Sequence, residues 1–129
     1  MNYLKDLLYR EECFKIVGLC MKVHNSLGKG FIEVVYKDAL EIEFQKNGIP
    51  YEREKALTIK YEGETLQRTF RADFVLYNCI ILEIKAVPFR SVAALRQTLH
   101  YLKASGIQLG ILINFGQDRL ESQRIVCSY

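Results

Sequence analysis

Hydrophobic positions fall at helical spacing over residues 11–26, where Phe14, Val17, Cys20, Met21 and His24 recur. Leu27-Gly28-Lys29-Gly30 breaks that pattern. A second helical stretch starts at Phe31, carries Val35, Ala39 and Ile42, and is stopped by Asn47-Gly48. The period then shortens to two. Residues 52–61 alternate through Leu57, Ile59 and Tyr61, and Glu62-Gly63-Glu64 gives a turn signal. Strands are expected over 67–76 and 80–86, with Pro88 ending the second. Ser91 is a good N-cap for a helix that runs to Ala104 and ends at Ser105-Gly106, with Leu95, Leu99 and Leu102 on its core face. Residues 107–115 are almost wholly apolar and read as a strand covered on both faces, which calls for a parallel neighbour. Residues 120–127 read as an edge strand or a short helix. The order is α-α-β-β-β-α-β. A helix between the 80–86 strand and the buried strand implies a right-handed parallel crossover, within a mixed sheet flanked by helices.

The two central strands carry the informative pattern, D-x9-E-x-K, formed by Asp73, Glu83 and Lys85. Phe70, Ala72, Phe74 and Leu76 alternate with Arg71, Asp73, Val75 and Tyr77, and Leu82 and Ile84 alternate with Glu83 and Lys85. A hairpin through Tyr77-Asn78-Cys79 pairs Leu76 with Ile80 and Phe74 with Leu82. Ala72 then faces Ile84, and Asp73 faces Glu83. A slip of one residue would set Phe74 against Glu83 and spoil the apolar face, so this register is expected. It also brings Arg71 near Lys85. Two carboxylates directly opposite one another destabilise a sheet. Either Arg71 and Lys85 neutralise them on a solvated face, or a divalent cation does so in a partly covered site, as Val75 and Ile81 on the same face suggest.

Composition sets the bounds. A chain of 129 residues, half of them hydrophobic, is one domain with a real core, with residues 1–10 as an N-terminal extension. The net charge of +3 does not by itself imply nucleic acid, so a phosphate-binding surface must be local. Cys13, Cys20, Cys79 and Cys127 form neither a zinc pattern nor a disulfide framework. The start of the chain is mixed and charged, and no apolar run reaches the ~20 residues of a membrane helix. A soluble, cytoplasmic protein without membrane contact is expected.

Other residues are open to two readings. Glu33 is a capping carboxylate at the third helical position if Gly30 is the N-cap, or else a third acid for the site. Tyr36 is a core aromatic or a catalytic group. Gln97 and Tyr101 lie one turn apart on the helix that leaves the Lys85 strand, so Gln97 is either an exposed polar residue or one that overlooks the site. His24 is a hydrogen-bonded structural histidine or a ligand. Gly28-Lys29-Gly30 is too short for a phosphate-cradling P-loop.

Taken in order, the motifs resemble a known family. They are Val23-His24-x-x-Leu27-Gly28-x-Gly30-Phe31-x-Glu33-x-x-Tyr36, Phe70-Arg71-Ala72-Asp73, Glu83-Ile84-Lys85-Ala86, Gln97-x-x-x-Tyr101-Leu102-Lys103 and Gly110-x-Leu112-Ile113-Asn114-Phe115-Gly116. Together they resemble the GxxExxY proteins of the PD-(D/E)XK nuclease-like superfamily. The resemblance implies a single restriction-endonuclease-like domain over 1–129, with an α-β-β-β-α-β core and an extra N-terminal helix. It places Asp73, Glu83 and Lys85 at the signature positions, Glu33 at the first-helix acid, and Gln97 and Tyr101 at the Q-x-x-x-Y element of exonuclease-like branches. Ala72 stands where the signature has proline.

The function expected is metal-dependent hydrolysis of nucleic-acid phosphodiesters. Asp73, Glu83, Glu33 and the Ile84 carbonyl would hold Mg2+ or Mn2+. Lys85 would orient or deprotonate the attacking water, and Gln97 and Tyr101 would position the phosphate, with His24, Tyr36 and Arg71 as accessory residues. The competing readings are a nuclease-fold module that binds nucleic acid or a protein without cutting, and a structural homodimer.

Overall fold

A computed structural model describes residues 9–127. Helix α1 spans Arg10–Leu27 and α2 spans Glu33–Lys46. Strands β1 (Tyr51–Tyr61), β2 (Glu64–Leu76) and β3 (Ile80–Lys85) follow, then α3 (Val92–Ser105), β4 (Leu109–Asn114) and β5 (Glu121–Val126). Apart from Tyr9 and Arg10, the expected N-terminal extension lies outside the described residues. The last segment is a strand rather than a helix. Helix α2 starts later than the sequence suggested, because Ile32 and not Gly30 is its N-cap, so Glu33 is its first residue.

The five strands form one mixed sheet in the order β1-β2-β3-β4-β5. β3 and β4 are parallel, with α3 as the crossover, and the other neighbours are antiparallel. β4 is buried along its whole length, as its apolar run requires. On one side, α1 and α2 cover the sheet with Ile16, Cys20, Tyr36, Leu40 and Phe44 against Phe74, Leu82, Ile84 and Ile111. On the other side, α3 lies over a smaller cluster that includes Ala72, Val75, Ile81 and Leu102. Its most buried positions are Ala94, Thr98 and Leu102, and Leu95 and Leu99 are only half buried. Gly110 explains how closely α3 sits: a Cβ there would meet the Thr98 methyl group at 3.0 Å.

The β2–β3 hairpin keeps the expected register for only three pairs: Leu76 with Ile80, Val75 with Ile81, and Phe74 with Leu82. Tyr77 and Asn78 both take left-handed conformations, and the Cys79 N–H closes the turn onto the Leu76 carbonyl at 3.0 Å. Past Phe74 the ladder ends, so the expected Asp73–Glu83 and Ala72–Ile84 pairs do not form and the strands fork. β2 stays with β1 from Tyr61↔Glu64 to Tyr51↔Leu76. The outer half of this ribbon, over residues 60–69, is exposed on both strands.

Candidate active site

The fork is built by the acids that the sequence placed opposite each other. The Asp73 N–H donates to Glu83 Oε2 at 2.7 Å, and the Ile84 N–H donates to Asp73 Oδ2 at 2.8 Å. Each carboxylate accepts a backbone N–H of the opposite strand beyond the last ladder pair. The strands can therefore part without stranding a buried N–H group. In return, both side chains are locked against the main chain.

Glu83 is only 5% exposed. Burial, reinforced by the neighbouring Asp73 charge, pushes its carboxyl up to about 8. Lys85, two residues along the strand and half buried, partly opposes that shift, as does Lys37. Tyr101 is stacked on Phe70 with ring centroids 4.1 Å apart. Burial raises its hydroxyl above the ordinary tyrosine range, and the charges of Glu83 and Asp73 add to the effect. Tyr101 on α3 thus lies within electrostatic reach of both acids. Gln97, one turn earlier, is exposed on the same helix.

Asp73 has a partner that the sequence did not suggest. The Lys37 ammonium on α2 lies 2.8 Å from Asp73 Oδ1 and 2.8 Å from Glu54 Oε1 on β1. Its side chain is 13% exposed and that of Asp73 is 17% exposed. Burial disfavours the Lys37 charge, but the bonds to Asp73 and Glu54 prevail and hold the ammonium above its usual range. Glu54 has φ 53°, a left-handed conformation in the middle of a strand, and is flanked by the pairs Arg53↔Phe74 and Lys55↔Ala72.

The remaining predicted residues are placed less centrally. Glu33 is half buried one turn before Lys37, but no hydrogen bond or ion pair joins it to Asp73 or Glu83. Among the described residues no three His, Cys, Asp or Glu side chains converge to hold an ion. The expected convergence of three acids is therefore reduced to two. Arg71 is exposed on β2, and the fork removes the pairing that would have set it beside Lys85. Tyr36 is fully buried. Its hydroxyl donates to the Gly28 carbonyl at 2.6 Å and accepts from the Phe31 N–H at 3.2 Å, and its ring stacks on Phe115 at 4.4 Å. His24 Nε2 lies 2.9 Å from the Gln117 carbonyl and ties the end of α1 to the β4–β5 loop. Tyr36 and His24 thus hold the glycine loop and its neighbours rather than reach the acids.

Asn114 sits beside Lys85 in the β3–β4 register and anchors the loop that leaves β3. It donates to the carbonyls of Val87 and Phe89, each at 3.0 Å, and accepts from the N–H groups of Val87 at 3.1 Å and Gly116 at 2.9 Å. The Phe115 N–H donates to the Lys85 carbonyl at 2.8 Å. Gly116 has no room for a side chain: a Cβ would stand 2.3 Å from the Val87 backbone. Asn114 was legible as a lone amide at the end of an apolar run. Lys37 and Glu54 carried no comparable signal.

Helix–strand order, a forked hairpin and a D…E-x-K set at the fork are now in view, and the comparison with known families agrees. The profile of the PD-(D/E)XK nuclease superfamily matches residues 10–125. The chain belongs to this superfamily, in its GxxExxY family. Its α/β fold, a mixed sheet flanked by helices, is the restriction-endonuclease-like core with an extra helix. A search of curated proteins gave no match. Among solved structures, the crystal structure titled SSO0001 is similar at a TM-score of 0.53 and 21% identity, a likeness of fold. The alignment covers 97% of this chain and 63% of that one, so this PD-(D/E)XK chain spans less than two thirds of that protein's length. Among the described residues no helix is long and apolar enough to cross a membrane.

The donor set suits a small hard cation of the kind associated with PD-(D/E)XK folds. Asp73 and Glu83 each commit one oxygen to a backbone N–H, and the second Asp73 oxygen meets the Lys37 ammonium at 2.8 Å. Mg2+ is commonly held by one or two carboxylates, with waters and substrate phosphate completing its shell. Asp73 and Glu83 supply two such oxygen donors at the fork.

Proposed function

We propose that the chain is a Mg2+- or Mn2+-dependent nuclease that hydrolyses phosphodiester bonds of nucleic acid. The observation that carries this reading is the Asp73–Glu83 pair, fixed by backbone N–H groups where β2 and β3 part. Asp73 and Glu83 would hold the ion, with the Ile84 carbonyl beside them and Glu33 acting through water from the start of α2. When bound, the ion supplies Lewis-acid polarisation of a phosphoryl oxygen and acidifies a water. Lys85 would hold the attacking water or take its proton, and would offset phosphate charge. Tyr101 would orient the scissile phosphate by its hydroxyl, with Gln97 completing the contact from the exposed turn of α3. Arg71, on the exposed ribbon that leads to Asp73, would meet the phosphate backbone. Tyr36 would act by holding the Gly28–Phe31 loop, and His24 by holding the β4–β5 loop.

The test is incubation of the purified protein with single- and double-stranded DNA and RNA in Mg2+, Mn2+ or EDTA. Cleavage should require the metal and disappear in Asp73→Ala and Lys85→Ala. Cleavage that survives either change would defeat the assignment. One observation favours a second reading, a module that grips nucleic acid without cutting: Lys37 already neutralises Asp73. Salt-dependent binding with no metal-dependent cleavage would support that reading.

A further inference from the structure

We infer that Lys37 is a positioning residue that stands in for the divalent ion on Asp73 and is drawn off by Glu54 when the ion binds. The inference rests on the reading of Asp73 and Glu83 as ion ligands.

Three observations carry it. First, the Lys37 ammonium bridges Asp73 Oδ1 and Glu54 Oε1 at 2.8 Å each, and Oδ1 is the Asp73 oxygen that the Ile84 N–H leaves over. The ammonium therefore occupies the oxygen that an ion would need. Second, the contact is well shielded, with both Lys37 and Asp73 less than one fifth exposed, so solvent screens it little. Third, the second tether is held in place at a cost. Glu54 takes a left-handed backbone at φ 53° inside β1, between pairs that flank Asp73 on β2, and a non-glycine residue there is strained. Lys37 is thus suspended between two acids, of which only Asp73 faces Glu83 across the fork. A divalent ion at Asp73 repels the ammonium, and Glu54 gives it somewhere to go without leaving a buried charge unpaired. In the metal-free protein, Lys37 holds the Asp73 side chain in place.

The probe is Mn2+, with affinity read by calorimetry and by the loss of the free-ion EPR signal, alongside metal-free melting. Lys37→Met removes the competitor. It should bind Mn2+ at least roughly tenfold more tightly while the metal-free protein melts lower, since a nearby like charge opposes a cation and an opposite charge stabilises the carboxylate. A purely structural lysine would give the lower melting point without tighter binding. Glu54→Gln leaves Lys37 with Asp73 alone and should weaken Mn2+ binding several-fold, so a test remains even if Lys37→Met folds poorly. The double variant should bind like Lys37→Met. Weaker binding in the double variant would make Glu54 an ion ligand and overturn its role through Lys37. Wild-type binding that is unchanged or weakened by Lys37→Met would overturn the inference and leave the metal reading standing. No Mn2+ binding by wild type or variants would remove both.

Discussion

Replacing Glu83 by glutamine is expected to abolish a fall in stability with rising pH that the metal-free protein should show. The Glu83 carboxyl titrates near 8 in the folded chain, because it is buried and faces Asp73, and near 4.5 when unfolded. Between those values the native state holds a proton that the unfolded state has released. The unfolded state therefore binds fewer protons, and stability declines as pH rises through that window. Below about 4.5 both states are protonated, and the stabilising contribution is fully present. Above about 8 it is lost. From pH 6 to pH 8 the linkage relation gives a loss of about 2 kcal/mol, or a drop of about 7 °C in melting temperature for a chain of this length. The assay is thermal unfolding in EDTA at pH 6, 7 and 8, comparing wild type with Glu83→Gln so that other titrating groups cancel. The two melting temperatures should diverge across the series, with wild type falling faster. Asp73→Asn should keep part of the slope, since burial is the larger cause. Saturating Mn2+ should flatten it, because the ion binds the ionised carboxylate. Parallel curves for wild type and Glu83→Gln in EDTA would refute the buried, proton-holding Glu83.

Other changes probe the frame around the site. Gly116→Ala drives a methyl group into the Val87 backbone and should cost about 3 kcal/mol, read as a lower urea midpoint with an unchanged slope. Asn114→Ala strands partners on Val87, Phe89 and Gly116 and should also cost about 3 kcal/mol, with the post-β3 loop becoming sensitive to proteolysis. Tyr36→Phe keeps the stack on Phe115 but loses the bond to Gly28, and should cost about 1–2 kcal/mol in the same urea experiment.

Much of this architecture was legible because burial leaves a period in the sequence. The β4 run could only be a covered strand, and the turn residues around it left little freedom in the order of elements. The hairpin register was also legible near the turn, where a slip would have set Glu83 against Phe74. It failed beyond Phe74, where Asp73 and Glu83 each accept a backbone N–H of the opposite strand, an arrangement that alternation does not encode. Asp73 and Glu83, expected as a cross-strand pair, meet instead through bonds from each side chain to the other strand's backbone. The third acid was expected at Glu33, but the side chain that meets Asp73 from α2 is Lys37, one turn further on. Helical spacing put both residues on one face. Which of them reaches Asp73 depends on how α2 crosses the fork, a tertiary fact. Glu54 was missed for a simpler reason: glutamate has no preference for the left-handed region, so its conformation is imposed by its surroundings. The Gly110…Gly116 motif was visible as letters, and its reasons emerged only once Thr98 and Val87 were seen pressed against the two glycines.

The short β2–β3 ladder has a mechanical consequence. Three residue pairs form a pivot for the long β1–β2 ribbon, which is clasped from two sides by different forces. Toward α2 the clasp adds ion pairs to the Phe44–Phe74 ring contact: Lys37 grips Glu54 and Asp73, and Arg53 grips Asp38 and Glu41. Toward α3 it is apolar, through the Phe70–Tyr101 stack and Leu57. Added salt screens the Arg53 pairs, whose partners Asp38 and Glu41 are more open to solvent, more than it screens the shielded Lys37–Asp73 contact. Ionic strength therefore acts unevenly along this hairpin, on the outer Arg53 contacts before the inner Lys37 bridge.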